Sequence, residues 1–230
     1  SESPGVQLAF LVSPEDVEVC HRQLVDRGIE MLLRNVLMIL LFSQSQCCYS
    51  IDAWRKTGRF RGDGAEVPAW PRHLVVLQLV LMYGLSGIQK TGLDWTPLGG
   101  FSAIYIVLQD PAIALFDHSG WASGFYIGTQ VATAVTVLFE ITAPLLLVVY
   151  YFRVTPERGG RARAWVAEHN PHHWWIACGV MLHLGIAGTM ALGIFPWAML
   201  ALYIAFFHPD EITSAGKRIS QLRARAALPG

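Results

Sequence analysis

Four long, mostly apolar stretches constrain this chain more than any other feature: residues 29–49, 73–90, 128–151 and 174–193. A helix that crosses ~30 Å of hydrocarbon at ~1.5 Å per residue needs about 20 such residues. Each stretch approaches or exceeds that length. A shorter fifth one, 197–207, follows a GIFP turn. Pro196 suits the first turn of that helix, where its missing N–H costs nothing. The chain is 53% hydrophobic and 15% charged, whereas a soluble domain is roughly a quarter charged. The expected fold is therefore all-α: a polytopic membrane helical bundle of about five spans.

The Lys and Arg distribution orients the bundle, because basic residues favour cytoplasmic loops. Segments 52–72 and 152–172 are Arg-rich, as is the tail GKRISQLRARAALPG; between Lys90 and Gly128 there is no Lys or Arg, while Asp94, Asp110 and Asp117 are present. Five alternating spans with the N-terminus outside and the C-terminus in the cytoplasm satisfy these biases. Trp95 and Trp121 outside, and Trp165, Trp174 and Trp175 inside, then fall at interfacial depth. The outer segment 96–126 is apolar but interrupted by Gln109, Asp110 and Pro111. Interfacial or re-entrant helices are expected there.

The expected organisation is an extramembrane segment over 1–26, a transmembrane domain over 27–210 and a cytoplasmic basic tail over 211–230. The opening SESPGVQLAF has neither the basic start nor the long apolar core of a signal peptide, and the chain is expected to begin partway through a larger gene product. Zero formal net charge argues against a nucleic-acid partner. Cys20, Cys47, Cys48 and Cys178 form no C-x-x-C pair and read as small hydrophobes. No metal site is expected, and His172–His173 read as interfacial.

Ionisable residues in or at the ends of spans must face the protein or a water-filled cavity, since lipid leaves them unsolvated. There are four: Arg34, Lys90, Glu140 and His183. Arg34 has Glu30 one turn earlier, which favours a structural pair, with an acidic ligand as the other reading. Glu140 divides between structural and functional roles, and His183, alone on its span, is by default hydrogen-bonded inside the bundle, with a ligand-holding role as the alternative. Lys90 closes a small polar stripe of Tyr83, Ser86 and Gly87 at i, i+3, i+4, i+7 spacing. Gly84 and Gly87 allow a second helix or a flat ligand to approach. Lys90 is either a snorkelling anchor or, partly desolvated, a base.

The run from YSIDAW through VPAWPRHLVVLQLVLMYGLSGIQKTGLDW resembles the membrane domain shared by vitamin K-dependent gamma-carboxylases and bacterial HTTM (horizontally transferred transmembrane) domain proteins. The matching positions are Ser50 and Asp52, Val67 to Trp70, and Tyr83, Ser86, Gly87, Lys90, Asp94 and Trp95. DRGIEMLLRN is similar to a stretch of the bacterial members, and LGIFPWAMLALYIAFFHPDE to the family's closing element. The resemblance implies a quinone or quinol (vitamin K-like) cofactor, Lys90 as the base that deprotonates it, Tyr83 and the small residues Ser86 and Gly87 admitting the ring, and His183 as a weaker candidate; Glu140 and Arg34 are ligand-binding candidates as ionisable residues of the spans. Carboxylases have two adjacent lysines where this chain has Gln89 and Lys90, and a Trp-Asn-Asn-His motif where it has VDRGIE.

Two functional expectations follow. One is a quinol-binding, enzyme-like protein of the bacterial cytoplasmic membrane. The other is a non-catalytic, structural or quinone-shielding subunit of a larger membrane complex, with membrane lipids and other membrane subunits as partners.

Overall fold

A computed structural model of the chain describes residues 30–43, 50–59, 67–117 and 123–226. The described residues are helical with no strand; the one extended pairing is an isolated bridge between Ala114 and Met190. Residues 1–29, which include the whole of the expected N-terminal segment and Cys20, lie outside the described residues, as do Cys47, Cys48 and Trp121.

Helix α1 covers residues 30–42 and buries Leu32 and Val36 in the core. Helix α2, Ile51–Thr57, starts where the Ser50 hydroxyl accepts the Ala53 N–H at 3.0 Å and stops at Gly58, whose φ of 69° suits glycine. Helix α3, Trp70–Gln89, has Pro71 in its first turn and ends at Lys90, whose N–H donates to the Gly87 carbonyl. Its buried face is Val76, Leu79, Val80, Tyr83, Gly84 and Gly87; its exposed face is Leu74, Leu77, Leu81, Leu85 and Ile88. Both faces are apolar. A helix whose outward stripe is also large and apolar is suited to lipid rather than water.

The expected stretch 128–151 forms two helices, α5 (Ser123–Thr142) and α6 (Leu145–Val154). Pro144 causes the break, because it has no N–H to offer the Glu140 carbonyl. Ala143 N–H turns to that carbonyl instead, at 3.2 Å, and the Phe139 carbonyl accepts the Trp175 indole N–H at 3.1 Å. Across this break α3 comes very close. A methyl added at Gly84 would lie 2.9 Å from the Pro144 ring, and one at Gly87 would lie 2.9 Å from the Ile141 nitrogen. The small stripe therefore admits the protein's own helix.

Between α3 and α5 the chain makes two 3-10 turns, Leu93–Trp95 and Pro97–Gly99, and the short helix α4, Ala103–Val107. Gln130 donates to the Gly100 carbonyl at 2.6 Å, and Ile104 N–H reaches the Thr133 hydroxyl at 3.2 Å, so α5 supplies the polar partners that dock this segment. Farther on, Leu115 N–H donates to the Thr189 carbonyl.

Helix α7 (Arg161–His169) and helix α8 (Pro171–Thr189) meet at Asn170, which has a left-handed φ of 46°. Helix α9 (Phe195–Leu202) runs into a 3-10 turn, Tyr203–Phe206, and helix α10, Pro209–Ala226, follows. Leu79, Val80, Met199 and Phe206 are completely buried where α3, α9 and the 3-10 turn meet. Each such side chain contributes about 1.5–3 kcal/mol of apolar burial. Among the described residues two helical segments, Trp70–Gln89 and Gly124–Thr142, are long and apolar enough to cross a membrane.

Candidate functional site

The end of α3 turns Lys90 back into the protein. Its Nζ donates to the Ser86 hydroxyl at 2.8 Å and lies 2.5 Å from Glu140 Oε2. The ammonium also sits over the Trp95 ring, 4.9 Å from its centroid. The two charged side chains keep 15% and 11% of their surface exposed. Gly87 makes this pairing possible, since its missing side chain lets the Glu140 backbone approach α3 closely.

Two turns earlier on α3, Tyr83 heads a second polar group. Its hydroxyl lies 2.8 Å from the Tyr203 hydroxyl and 3.3 Å from His183 Nε2, while His183 Nδ1 is 2.8 Å from the Gly179 carbonyl. A carbonyl can only accept, so Nδ1 carries the hydrogen and Nε2 accepts from Tyr83. Tyr203 then donates to the Tyr83 oxygen, and the bonds run in one direction: Tyr203 to Tyr83 to His183 to Gly179. Gly179 supplies space as well as a carbonyl, because a side-chain carbon there would collide with the Tyr203 hydroxyl. Phe139 and Trp175 pack edge-on against the Tyr83 ring, at 5.0 and 5.6 Å, and stack on each other at 4.1 Å.

Of the residues singled out from the sequence, Lys90, Ser86, Gly87 and Glu140 come together, and Tyr83 and His183 meet directly, with the Tyr203 hydroxyl beside both. Arg34 does not join them. It pairs with Glu30 on an exposed face of α1. Tyr203, Trp95 and Trp175 are the additions. Gly179, one turn before His183, is the sequence signal that could have pointed to a close neighbour there.

A third group joins α6, α8 and α10 at the opposite end of α8. Arg153 donates to His172 Nε2 at 2.7 Å and to Glu211 Oε1 at 2.6 Å. His173 Nε2 lies 3.5 Å from the same carboxylate oxygen, and Glu211 Oε2 accepts the His208 N–H at 2.7 Å. His172 is fully buried. Burial, with help from Arg153 and His173, lowers its pKa to about 4 against the opposing pull of Glu211. For Glu211, burial acts to raise the pKa, but the His208 N–H and Arg153 outweigh it and the net shift is downward. The nitrogens of both histidines and the carboxylate oxygen lie within 4.8 Å of one another. They could hold a divalent metal ion only with Arg153 withdrawn, because its guanidinium already donates to two of the three donor atoms.

A cleft of about 400 Å³ lies between α6 and α7 beside this third group. A smaller one, about 250 Å³, lies in the outer segment around Leu108 to Asp117.

The comparisons with known proteins bear on the first group. No curated protein and no solved structure matches this chain. The family model described as the HTTM domain matches residues 31–155, from α1 to the end of α6. That range contains Lys90, Glu140, Tyr83, Ser86, Gly87 and Arg34, whereas His183 and Tyr203 lie beyond it. With more than half of its length matched, the chain belongs to the HTTM domain family.

Proposed function

We propose that this is an integral-membrane HTTM protein in which Lys90 and Glu140 form a proton-exchange pair for a lipid-soluble quinol. In this reading residues 27–210 make a membrane bundle of about five spans in a bacterial cytoplasmic membrane, and 211–230 form its cytoplasmic tail. The observation that carries it is an ammonium turned away from water onto a carboxylate, a hydroxyl and an indole ring. Such a pair is expensive to keep in an apolar setting and marks a functional position.

The pairing refines the roles that the resemblance implies. Were a quinol bound beside the pair, the Glu140 carboxylate would be placed to accept a hydroxyl proton and the Lys90 ammonium to stabilise the negative charge that the loss leaves. Quinol-dependent oxygen uptake by the purified protein is the test: Lys90→Ala and Glu140→Gln should each abolish it while leaving the helix content intact. Uptake unchanged in both variants removes the pair from the mechanism.

A second reading, a scaffold or quinone-shielding subunit of a larger membrane complex, has its own supporting observation. The glycine stripe is occupied by Pro144 and Ile141, and both clefts lie away from Lys90. Co-purification with other membrane subunits in fixed stoichiometry, together with no quinol turnover, would favour it.

A further inference from the structure

The cleft between α6 and α7 has a chemistry that the quinol reading does not use. Phe152, Arg153, Gly160, Arg163, Ala164 and Asn170 are among the residues that line it. Arg163 is positioned by its Nε bond to the Thr155 hydroxyl at 3.3 Å, by an Nη1 bond to the Gly159 carbonyl at 3.2 Å and by the Phe152 ring 4.7 Å away. Arg153 is fixed by His172 and Glu211. Arg158 and Arg161 lie on either side of the glycine pair that ends in the cleft wall. Among the described residues, Arg158, Arg161 and Arg163 have no carboxylate partner. Gly160, at the start of α7, provides no side chain to cap that helix, so its first N–H groups add to the positive field.

The surroundings are apolar in an unusual way. Trp165 and Trp174 are 53% and 77% exposed, and Val154 is 70% exposed. An exposed indole, Trp165, on the helix that carries Arg161 and Arg163 is an arrangement found at headgroup depth.

We propose that this cleft binds a phosphate ester presented by the headgroup of an anionic phospholipid. Arg163 faces the phosphate, Arg153 backs it from the cleft wall while holding Glu211, Arg158 and Arg161 add charge at the mouth, and Trp165 sits beside the acyl chains. The proposal rests on the chain being a membrane protein and is independent of the quinol chemistry. Loss of turnover in Lys90→Ala leaves it untouched.

The test is native mass spectrometry of the full chain in detergent, titrated with phosphatidylglycerol or with phosphatidylcholine of the same acyl chains. Phosphatidylglycerol should be retained and phosphatidylcholine washed out. Arg163→Gln should weaken retention about fivefold, the loss of one surface-adjacent charge. Because Arg163 also packs on Phe152, Ala164→Glu is the second variant; it adds a carboxylate to the cleft wall and should weaken retention at least as much. Arg218→Gln, in α10, should bind as the unchanged protein does. Equal retention of the two lipids overturns the proposal. So does unchanged retention in both cleft variants with helical content intact. Displacement of the lipid by sn-glycerol 3-phosphate at comparable concentration overturns the lipid source and assigns the site to soluble phosphate esters.

Discussion

Lys90 and Glu140 can be separated into a stability role and a chemical role by removing them singly and together. Lys90→Ala leaves a largely buried carboxylate without its cation, at a cost of about 3–5 kcal/mol for a fully buried pair and less for the exposure seen here. Lys90→Met with Glu140→Leu removes both charges and should recover most of that loss, since two apolar side chains of similar volume need no compensation. Thermal unfolding in detergent measures this. A double variant as unstable as Lys90→Ala would show that the pair itself holds α3 to α5. At Gly179 a side chain would strike the Tyr203 hydroxyl, so Gly179→Ala should lower stability by about 1–3 kcal/mol, with Tyr203→Phe added to it restoring part. The stripe from Tyr83 to Lys90 was legible in the sequence because its members share one helix and its period. Tyr203 was not, because it meets Tyr83 and His183 only through tertiary packing, and no local spacing connects them.

At the scale of elements, the contact of α3 with α5 depends on two glycines and one proline. Gly87→Ala would place a carbon 2.9 Å from a backbone nitrogen and 3.0 Å from Glu140 Cβ. Backbone cannot yield as a side chain does, so the helices should part slightly and the ion pair with them. The expected result is a loss of about 1–3 kcal/mol, together with a larger fall in turnover than stability alone explains. The sequence showed that small residues stood on this face, and left open whether a ligand or a helix would use them. The answer depends on where α5 breaks, and Pro144 could not show from one helix's pattern which neighbour lay across from it. The junction of α6, α8 and α10 gives a pH prediction. His172 has a pKa of about 4 when folded and 6.5 as its ordinary value, so the unfolded chain binds more protons between the two. Stability should be fully present above about pH 6.5 and fall toward pH 4, by on the order of 3 kcal/mol at most. Below its own ordinary value, Glu211 adds to the loss as it protonates and releases Arg153. His172→Gln should flatten the upper part of that profile in pH-dependent unfolding; an unchanged slope between pH 6.5 and 5 would exclude His172 as its source.

For the whole molecule, two different surfaces demand two different solvents. Leu77, Leu81, Leu85 and Ile88 on α3, Val131, Leu138 and Ile141 on α5, and Met181 and Leu184 on α8 are exposed apolar side chains on helices that also bury apolar faces. Water would drive such faces together, whereas lipid leaves them where they are. The charged groups lie elsewhere: arginines cluster around α7 and in α10, and the segment from Thr91 to Ile127 has none. If lipid covers the apolar faces, that asymmetry sets which end of the bundle meets the cytoplasm. The expectation can be checked in intact cells and inverted vesicles, using a chain whose four native cysteines are replaced by serine. Gln109→Cys should react with a membrane-impermeant maleimide from the outer side only, and Arg161→Cys from the cytoplasmic side only. Labelling of both positions from the same side would break the alternation of spans, and with it the assignment of the Lys90 pair to the outer leaflet and of the arginine cleft to the inner one.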